Sequence, residues 1–515
     1  MRLFLSLLLV AVPFLPLAAA AITRFRRGLG AGRLSVHAAS VATLAAVLAT
    51  VLLVLQGPYT LRWTPFGPDA AIAFVLRLDA ISATMIVLIT GLGTTILQFS
   101  RRYLAGDSGQ SRFFVWMSLT LASVLTLVLA GHLVLLVVGW ISTSLCLHRL
   151  LLHYPGRAGA VFAARKKFVI SRLGDVCLIA ATLLLRARYG TFDLEVIFRA
   201  IEAGHTGGLT WIGALLAGSA MLKSAQFPFH SWLPDTMETP TPVSAFMHAG
   251  IINAGGFLVV RLAPIFGAAP GASQALVVVG TVTAAFGAVI MLAQPTVKRA
   301  LAYSTIAQMG FMLLQCGLGA YGLALLHLAA HSLYKAHAFL TAGSTVGAVP
   351  RAALPLRTPA LTIGLLVGGL YVALGATALR VLAPTSAAAH PGVFGVVLGL
   401  AVAYGVARTW SAGGGPRLTA RGFILGAATT MVSMALHAGA SALYGPWPDV
   451  RPPGLLLAVV AVAFLGLFLF QALLWRSNRS AFGRRLYVHA LNGLYVGTLT
   501  NRLLNRLWPR FPAQA

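Results

Sequence analysis

Two lysines fall inside long apolar segments, where a charged side chain is unusual. Of the five lysines in the chain, Lys223 and Lys335 are surrounded by apolar residues, whereas Lys166, Lys167 and Lys298 are expected at helix ends in basic loops. A lysine at the centre of a bilayer costs at least about 2.5–3.5 kcal/mol, so it normally faces protein or water and serves a function. A desolvated ammonium also releases its proton more readily than one in water. The first two lysines are therefore predicted to exchange protons, and the alternative is snorkelling or a structural ion pair.

Lys223 begins a proline-rich segment. It is followed by Pro228, Pro234, Pro240 and Pro242. Proline lacks a backbone donor and clashes with the preceding turn, so the helix that contains Lys223 must break or end here. Broken helices in membranes line a cavity or pack inside protein, and transporters bind ions at such breaks. This combination predicts an ion-carrying site.

Three titratable residues recur at a spacing of four. They are His327, His331 and Lys335. This spacing puts all three on one helix face over about 12 Å. Histidine titrates near neutral pH, so such a stripe inside a membrane is typical of a proton wire. A metal site would need carboxylate or cysteine partners, and none lies nearby in the sequence, so no metal is predicted here.

Two more titratable residues lie in apolar segments. His248 is followed by Asn253 and by small residues that permit close contact between helices. It is either a hydrogen-bonded core residue or part of a proton relay, and the sequence leaves both open. Asp175 is one of few acids within a predicted span, and its expected partner is Arg172 or Lys223.

The composition is that of a membrane protein. The 515 residues are 58% apolar and 9% charged, with a mean hydropathy of +0.86, whereas a soluble domain has roughly 25% charged residues. The net charge of +28 comes mainly from arginines in short clusters between apolar segments, which is typical of membrane-orienting charges. No nucleic-acid partner is expected. The isolated cysteines include no Cys-x-x-Cys pair, so no metal or iron–sulfur cluster is expected in this chain.

The fold class is predicted to be an all-α polytopic membrane protein of about 15 transmembrane helices. The expected spans are residues 2–23, 35–56, 78–99, 112–130, 132–150, 166–186, 209–227, 243–263, 272–293, 299–316, 319–345, 359–382, 390–408, 420–442 and 454–475. Positive charges follow the odd-numbered spans, as at Arg24, Arg101 and Arg408. This pattern predicts a periplasmic N-terminus, a cytoplasmic C-terminus and a first span that is a helix rather than a signal peptide.

Three regions are expected. Residues 1–110 form N-terminal transmembrane helices, residues 111–475 form the ion-conducting transmembrane domain, and residues 476–515 form a cytoplasmic tail. In this tail, apolar residues recur at helical spacing from Leu486 to Leu507 with arginines among them. The pattern predicts an amphipathic helix on membrane lipids or a docking segment, and the alternative is a frayed tail.

The stretch from about 130 to 345 resembles the proton-conducting antiporter-like family. This family includes membrane-arm subunits of respiratory complex I, Mrp sodium/proton antiporter subunits and DabB of the inorganic-carbon pump. The matching motifs are Ser171-Arg-Leu-Gly-Asp175, Lys223-Ser-Ala-Gln-Phe-Pro, Thr239-Pro-Thr-Pro-Val-Ser-Ala-Phe-Met-His248, Val297-Lys298-Arg299-Ala-Leu-Ala-Tyr303-Ser304, and His327 to Lys335. The resemblance implies two inverted repeats, each with a broken helix.

The resemblance also implies roles for the titratable residues. Lys223 looks like the central proton carrier. The hydrated path leading on from it would comprise His248, His327, His331 and Lys335. Asp175 and Lys298 match charged positions of the family pattern.

One departure narrows the resemblance. Complex I subunits have Trp-Glu where this chain has Trp140-Ile141, and isoleucine cannot carry a charge. This loss, the pattern at 140–148 and the segment from Arg485 to Tyr495 resemble the DabB branch. That branch implies a non-enzymatic subunit of the bacterial inner membrane that passes H⁺ or Na⁺ inward. Its expected partner is a DabA-like large protein on the cytoplasmic side, whose zinc would activate water for hydration of CO₂ to bicarbonate. The alternatives are an Mrp-type Na⁺/H⁺ antiporter subunit, a proton-pumping subunit of a complex I-like oxidoreductase, and a non-transporting scaffold.

Overall fold

The computed structural model is a bundle of helices joined by short loops. It describes residues 1–25, 30–65, 67, 73–345, 358–382, 391–411, 415–445, 447–477 and 480–507. The helices are α1 (Arg2–Phe25), α2 (Ala31–Gln56), α3 (Ala80–Tyr103), α4 (Gln110–Leu129), α5 (Leu133–Leu151), α6 (Ala158–Tyr189), α7 (Leu194–Glu202), α8 (Leu209–Lys223), α9 (Trp232–Asp235), α10 (Thr241–Ala249), α11 (Ala254–Arg261), α12 (Ala263–Gly267), α13 (Pro270–Ala293), α14 (Val297–Gly317), α15 (Tyr321–Leu340), α16 (Thr358–Leu382), α17 (Pro391–Ser411), α18 (Gly415–Tyr444), α19 (Gly454–Ser477), α20 (Ala481–Leu491) and α21 (Val496–Leu507).

Twelve of the described segments are long and apolar enough to cross a membrane. The chain is therefore a multi-pass helical membrane protein, and this part of the predicted fold class is confirmed. The count of about 15 is not confirmed. The three other predicted spans coincide with α8, which has only 15 residues, and with α14 and α15, which are not apolar enough over 18 residues.

A short β-hairpin interrupts the helices, which the all-α prediction missed. Strands β1 (Tyr59–Trp63) and β2 (Phe74–Leu78) pair antiparallel between α2 and α3. Leu76 and Leu78 are fully buried, and Leu76 also forms a β-bridge with Ala130. Each strand has only five residues, too few for its alternation to stand out beside long apolar helices.

Successive spans reverse direction, so the loops separate into two faces. We call the first the hairpin face, because it contains β1, β2 and α7. Arg62 of β1 forms ion pairs there with Asp193 and Glu195, and His132 forms a β-bridge with Asp193.

The opposite face, which we call the tail face, contains α20 and α21. Its loops are held together by polar contacts between elements that are distant in sequence. These contacts are Tyr154 with Asp107 at 2.9 Å, Arg157 with the Glu238 carbonyl at 3.3 Å, Lys298 with Thr241 at 3.0 Å and Gln294 with the Leu491 carbonyl at 3.5 Å. Arg26, Arg27, Arg351, Arg357 and Arg479, which belong to the predicted basic loops and tail, lie outside the described residues.

The tail is two helices rather than one. The backbone bends between α20 and α21, where Leu494 and Tyr495 have left-handed φ values of 49° and 61°. Non-glycine residues rarely adopt this region, so the bend is fixed by its surroundings. Asn501 of α21 bonds to Lys166 of α6 at 2.7 Å, so the tail contacts the bundle directly.

Helix breaks occur in the middle of the chain. The family resemblance implies a second broken helix in the C-terminal half, but α16, α17 and α18 are each continuous over the described residues. No proline falls inside these helices beyond their first two positions, so nothing in their sequence forces a break.

Candidate functional site

The first break follows Lys223, the last residue of α8. Ala225 is fully buried and has a left-handed φ of 50°. The chain then reaches the tail face through two 3₁₀ turns that flank α9. Pro228 precedes the first turn, Pro234 lies in α9, Pro240 precedes α10 and Pro242 is the second residue of α10.

Lys223 is buried against α5. Its Nζ donates to the Trp140 carbonyl at 3.1 Å and lies 4.4 Å from the centre of the Trp140 ring. Such a cation–π contact is favourable, and more so when it is desolvated. The lysine is thus held by a carbonyl and a ring rather than by a direct ion pair.

Asp175 supplies the negative charge near Lys223. It forms an ion pair with Arg172 at 2.6 Å and interacts electrostatically with Lys223. Both partners that the sequence suggested are therefore present. Ile141 packs among apolar side chains, so the carboxylate comes from α6 rather than from α5.

A second break separates α10 from α11 and touches the first. The helix stops at Gly250, and a 3₁₀ turn covers Ile251–Asn253. The Ser224 hydroxyl donates to the Ile252 carbonyl at 2.7 Å. A Cβ on Gly255 would lie 2.3 Å from Ser224 Oγ and 2.4 Å from the Ala220 carbonyl oxygen, so only glycine permits this approach.

The second break also contacts α15. Asn253 Nδ2 donates to the Ser332 hydroxyl at 2.8 Å. Ser332 is adjacent to His331, a member of the predicted stripe. The two breaks therefore form a polar bridge between Lys223 and α15.

The three residues of the stripe lie along α15 in the predicted order. His327 Nδ1 lies 2.8 Å from Gln315 Oε1, and the rings of His327 and His331 are 6.2 Å apart. Both ring nitrogens of His331 are buried without a hydrogen-bond partner in the structure. Lys335 is fully buried, and its Nζ donates to the Leu301 carbonyl at 3.0 Å.

His248 joins the stripe through α14. The Thr305 hydroxyl donates to the same Leu301 carbonyl at 3.0 Å and lies 3.0 Å from His248 Nδ1. The hydroxyl has one proton, so when it donates to the Leu301 carbonyl, His248 Nδ1 is the donor to Thr305. His248 Nε2 is then an acceptor, and it is buried without a protein partner. This nitrogen can take a proton, which favours the relay over a purely structural histidine.

His327, His331 and Lys335 lie at successive depths, and Lys223 lies at about the depth of Lys335. Both α8 and α15 begin at the hairpin face, so Lys223 and Lys335 lie about 21 Å along their helices. His327 and His331 lie about 9 and 15 Å along α15. His248 lies about 10 Å from the tail-face end of α10. The titratable groups thus lead from near the hairpin face to the breaks.

Two lysines differ from their predicted positions. Lys166 and Lys167 were expected at a helix end, but α6 begins at Ala158 and both side chains are buried. Lys166 Nζ bonds Asp235 at 2.8 Å and Asn501 at 2.7 Å. The helix-forming residues Ala158–Ala164 were the signal that could have extended this helix. Lys298 does lie in the first turn of α14, half-buried.

No metal site is formed by this part of the chain. Among the described residues, no three His, Cys, Asp or Glu side chains come together as metal ligands. The stripe and His248 instead carry groups suited to proton transfer. Imidazole and amine groups can each accept and release a proton, and they are linked here by hydroxyls and carbonyls.

Family models place this arrangement among known proteins. Residues 130–405 match the model described as "NADH:quinone oxidoreductase/Mrp antiporter, TM". Residues 63–114 match "NADH-Ubiquinone oxidoreductase (complex I), chain 5 N-terminus". The first match covers more than half of the chain. The chain belongs to this antiporter-like family.

Curated relatives divide between carbon transporters and respiratory subunits. The "probable inorganic carbon transporter subunit DabB2" of Halothiobacillus neapolitanus is 36% identical over 85% of this chain and 81% of its own length. The DabB subunit of Hydrogenovibrio crunogenus is 42% identical over 52% of each chain. The NADH-quinone oxidoreductase subunit L of Mycobacterium tuberculosis is 40% identical over 65% of this chain and 55% of its own.

Solved structures agree on the fold of this antiporter-like chain. The Mrp complex from Dietzia matches with a TM-score of 0.59 and 24% identity, covering 97% of this chain and 57% of that one. An archaeal membrane-bound sulfane sulfur reductase matches with a TM-score of 0.60 and 19% identity, covering 93% and 77%. At these identities the likeness establishes the fold alone.

Proposed function

We propose that this protein is the ion-conducting membrane subunit of an energy-coupled inorganic carbon pump. It passes H⁺, or Na⁺, inward and so drives CO₂ hydration in a zinc-containing partner subunit. The observation that carries the transport part is Lys223, a buried lysine at a broken helix that is linked through the second break to the stripe on α15.

The carbon-pump branch is supported by the relatives. The DabB2 match extends over most of both chains. Complex I subunits have a glutamate where this chain has Ile141, so the carboxylate near Lys223 is that of Asp175. This difference favours a branch that couples ion flow in its own way.

The path begins near the hairpin face and runs inward to Lys223. A proton enters near His327, moves through His331 to Lys335 and reaches Lys223 through the contacts of Asn253 and Ser224. The titratable groups each accept and release the proton, and water hydrogen-bonded along the polar bridge carries it from Lys335 to Lys223, while Asp175 stabilises the protonated lysine. His248 adjoins Lys335 through Thr305 and Leu301.

The tail face is assigned to the cytoplasm. Its loops carry more arginines than acids: Arg24 has no acid nearby in the sequence, and Arg101, Arg102 and Arg112 share one, Asp107. The hairpin-face arginines are balanced by Asp193 and Glu195. By the positive-inside rule this distribution supports a cytoplasmic C-terminus and a periplasmic N-terminus in a bacterial inner membrane.

The partner is assigned to the tail face. It is a large DabA-like protein that holds the zinc, and no zinc is required in this chain. The helices α20 and α21 lie on this face, and exposed Tyr487, Leu499 and Leu503 leave an apolar surface for lipid or partner.

The first test is purification in a mild detergent, followed by partner identification and zinc analysis. One large soluble partner with about one zinc is the expected result. Flavin or iron–sulfur partners would establish a respiratory complex instead, and several small hydrophobic partners would establish an Mrp-type antiporter.

The second test isolates Lys223. The complex with Lys223→Met should assemble but lose ion uptake and CO₂ hydration. His37→Gln, at an exposed position of α2, should retain both. Full activity of an assembled Lys223→Met complex would exclude Lys223 as the carrier and favour a scaffold role.

A further inference from the structure

Lys167 is a second buried lysine close to Lys223, and the path described above does not use it. Its side chain is 3% exposed. Its Nζ donates to both the carbonyl and the hydroxyl of Ser144, each at 2.7 Å. Among the described ion pairs it has no carboxylate partner, whereas the adjacent Lys166 is paired with Asp235.

The charges around Lys167 do not balance. It interacts electrostatically with Lys223, Arg172, Asp175 and Cys146. Asp175 is already paired with Arg172, which stays protonated in proteins. Two lysines therefore share a buried site with one engaged carboxylate. Protonation of either amine disfavours protonation of the other, so the pair titrates as a unit and a proton can pass between them.

Helix α5 shows the order of these groups across the membrane. Lys223 bonds the Trp140 carbonyl and Lys167 bonds Ser144, four residues nearer the tail face. One helical turn separates these positions, or about 6 Å. His148 follows after another turn on the same face of α5. It is half-buried and its Nδ1 lies 3.2 Å from the Ala164 carbonyl.

From this order we infer that Lys167 is the next proton carrier after Lys223 and delivers the proton toward His148 at the tail face. The inference rests on the proposed function. In the step, a protonated Lys223 gives its proton to the neutral amine of Lys167. Lys167 then releases it toward His148 and the tail-face solvent, and Lys223 is reprotonated from the side of Lys335. Only N–H bonds break, and the proton ends on His148 as an N–H bond or on water as an O–H bond.

The test measures proton uptake with a pH-sensitive dye in proteoliposomes that contain the whole complex. Lys167→Met removes the exchangeable proton and Lys167→Arg fixes a positive charge, so both should reduce uptake at least about 100-fold, the lower end of the range for loss of a positioned proton-transfer group. Lys167→His should retain part of the rate with its pH optimum shifted downward, because imidazole titrates near 6.5. A packing role would not produce this shift.

Lys166→Arg is the matched control. It changes the neighbouring buried lysine but keeps the charge and the pairing with Asp235, so uptake should stay within about twofold of the wild type. Ser144→Ala removes one of the two bonds to Lys167 and should alter the pH profile while the complex stays assembled.

The outcomes separate the inference from the proposed function. Wild-type uptake in Lys167→Met and Lys167→Arg, with loss in Lys223→Met, would overturn the role of Lys167 alone. Normal uptake in Lys223→Met would overturn the proposed function itself. If the Lys167 variants do not assemble, Ser144→Ala decides, and an unchanged pH profile would overturn the inference.

Discussion

The middle of the chain and its C-terminal helices differ in what they bury. In the stretch Thr241–Arg261, 94% of the residues in an apolar 18-residue segment are buried, whereas the corresponding shares in α16 to α19 are only 11–28%. The middle buries Lys166, Lys167, Lys223 and Lys335. The sequences of α16 to α19 contain no lysine, aspartate or glutamate.

This contrast indicates that the two regions have different roles. Buried charges are costly in a membrane, and they persist where surrounding protein supplies partners. In the middle of the chain, the broken helices and their neighbours supply these polar partners. The C-terminal helices present large apolar side chains outward, as at Leu366, Ile424 and Leu455. They suit contact with lipid or another subunit, whereas the proposed ion path lies in the middle.

The largest effect should come from removing a path lysine. Lys335→Met should reduce proton uptake roughly 100-fold, the order of loss when a positioned proton-transfer group is removed. Arg421→Met, an exposed position in α18, is the control from the other region and should leave uptake unchanged. Proton uptake is measured in proteoliposomes. An equal loss of uptake in the two variants would contradict the proposed difference between the regions.

The next effect concerns stability. Asp79 caps α3 and accepts hydrogen bonds from Arg261 at 2.6 and 3.2 Å. Burial alone would raise the pKa of Asp79, but Arg261 and Arg77 hold it well below its usual value. Its contribution is therefore complete above pH 3.8 and is lost as the pH falls below that value. Asp79→Asn should cost about 3–5 kcal/mol, because it leaves a buried guanidinium without its partner.

Thermal unfolding in detergent measures this cost. Asp449→Asn disrupts the pair with Arg451, whose side chains are both exposed, and should leave the melting temperature unchanged. A similar melting shift in both variants would mean that the Asp79–Arg261 pair is not a special support of the middle region.

A smaller effect should follow from separating the two breaks. Gly255→Ala places a methyl group against Ser224 and Ala220 and should cost about 1–3 kcal/mol through overpacking. Proton uptake should fall several-fold because the bridge between Lys223 and α15 opens. Gly369→Ala in α16 has no atom within 4 Å of the new Cβ and should be neutral. Unchanged uptake in Gly255→Ala would show that this contact is not part of the path.

The smallest effect lies on the tail face. Burial lowers the pKa of His153 below 6.5, and the nearby Asp107 carboxylate offsets this only in part. The folded protein binds this proton more weakly than the unfolded chain. Stability from His153 is therefore complete above pH 6.5 and declines as the pH falls below 6.5.

Thermal melting between pH 7.5 and 5 tests this dependence. The wild type should lose melting temperature as the pH falls, and His153→Gln should lose less over the same interval. His205→Gln, at an exposed position on the hairpin face, keeps the wild-type slope. A His153→Gln slope as steep as that of the wild type would contradict the prediction.

Much of the candidate site could be predicted because its residues are locally unusual. The prolines after Lys223 forbid a continuous helix, and the spacing of four fixes His327, His331 and Lys335 on one face. The positions of Lys166 and Lys167 were predicted wrongly because charged residues beside an apolar segment usually mark the point where the helix leaves the membrane. Their burial depends on Asp235, Asn501 and Ser144, which lie far away in the sequence.

The sequence alone determined that the chain crosses a membrane many times and that its titratable residues lie inside apolar segments. Composition and periodicity are local properties, and they suffice for these conclusions. Tertiary structure decided which groups meet. The contact between the two breaks, the position of Asp175 beside Lys223 and the network from Lys335 through Leu301 to His248 each join separate helices. Hydrogen bonds of this kind depend on how helices pack, which no local pattern specifies.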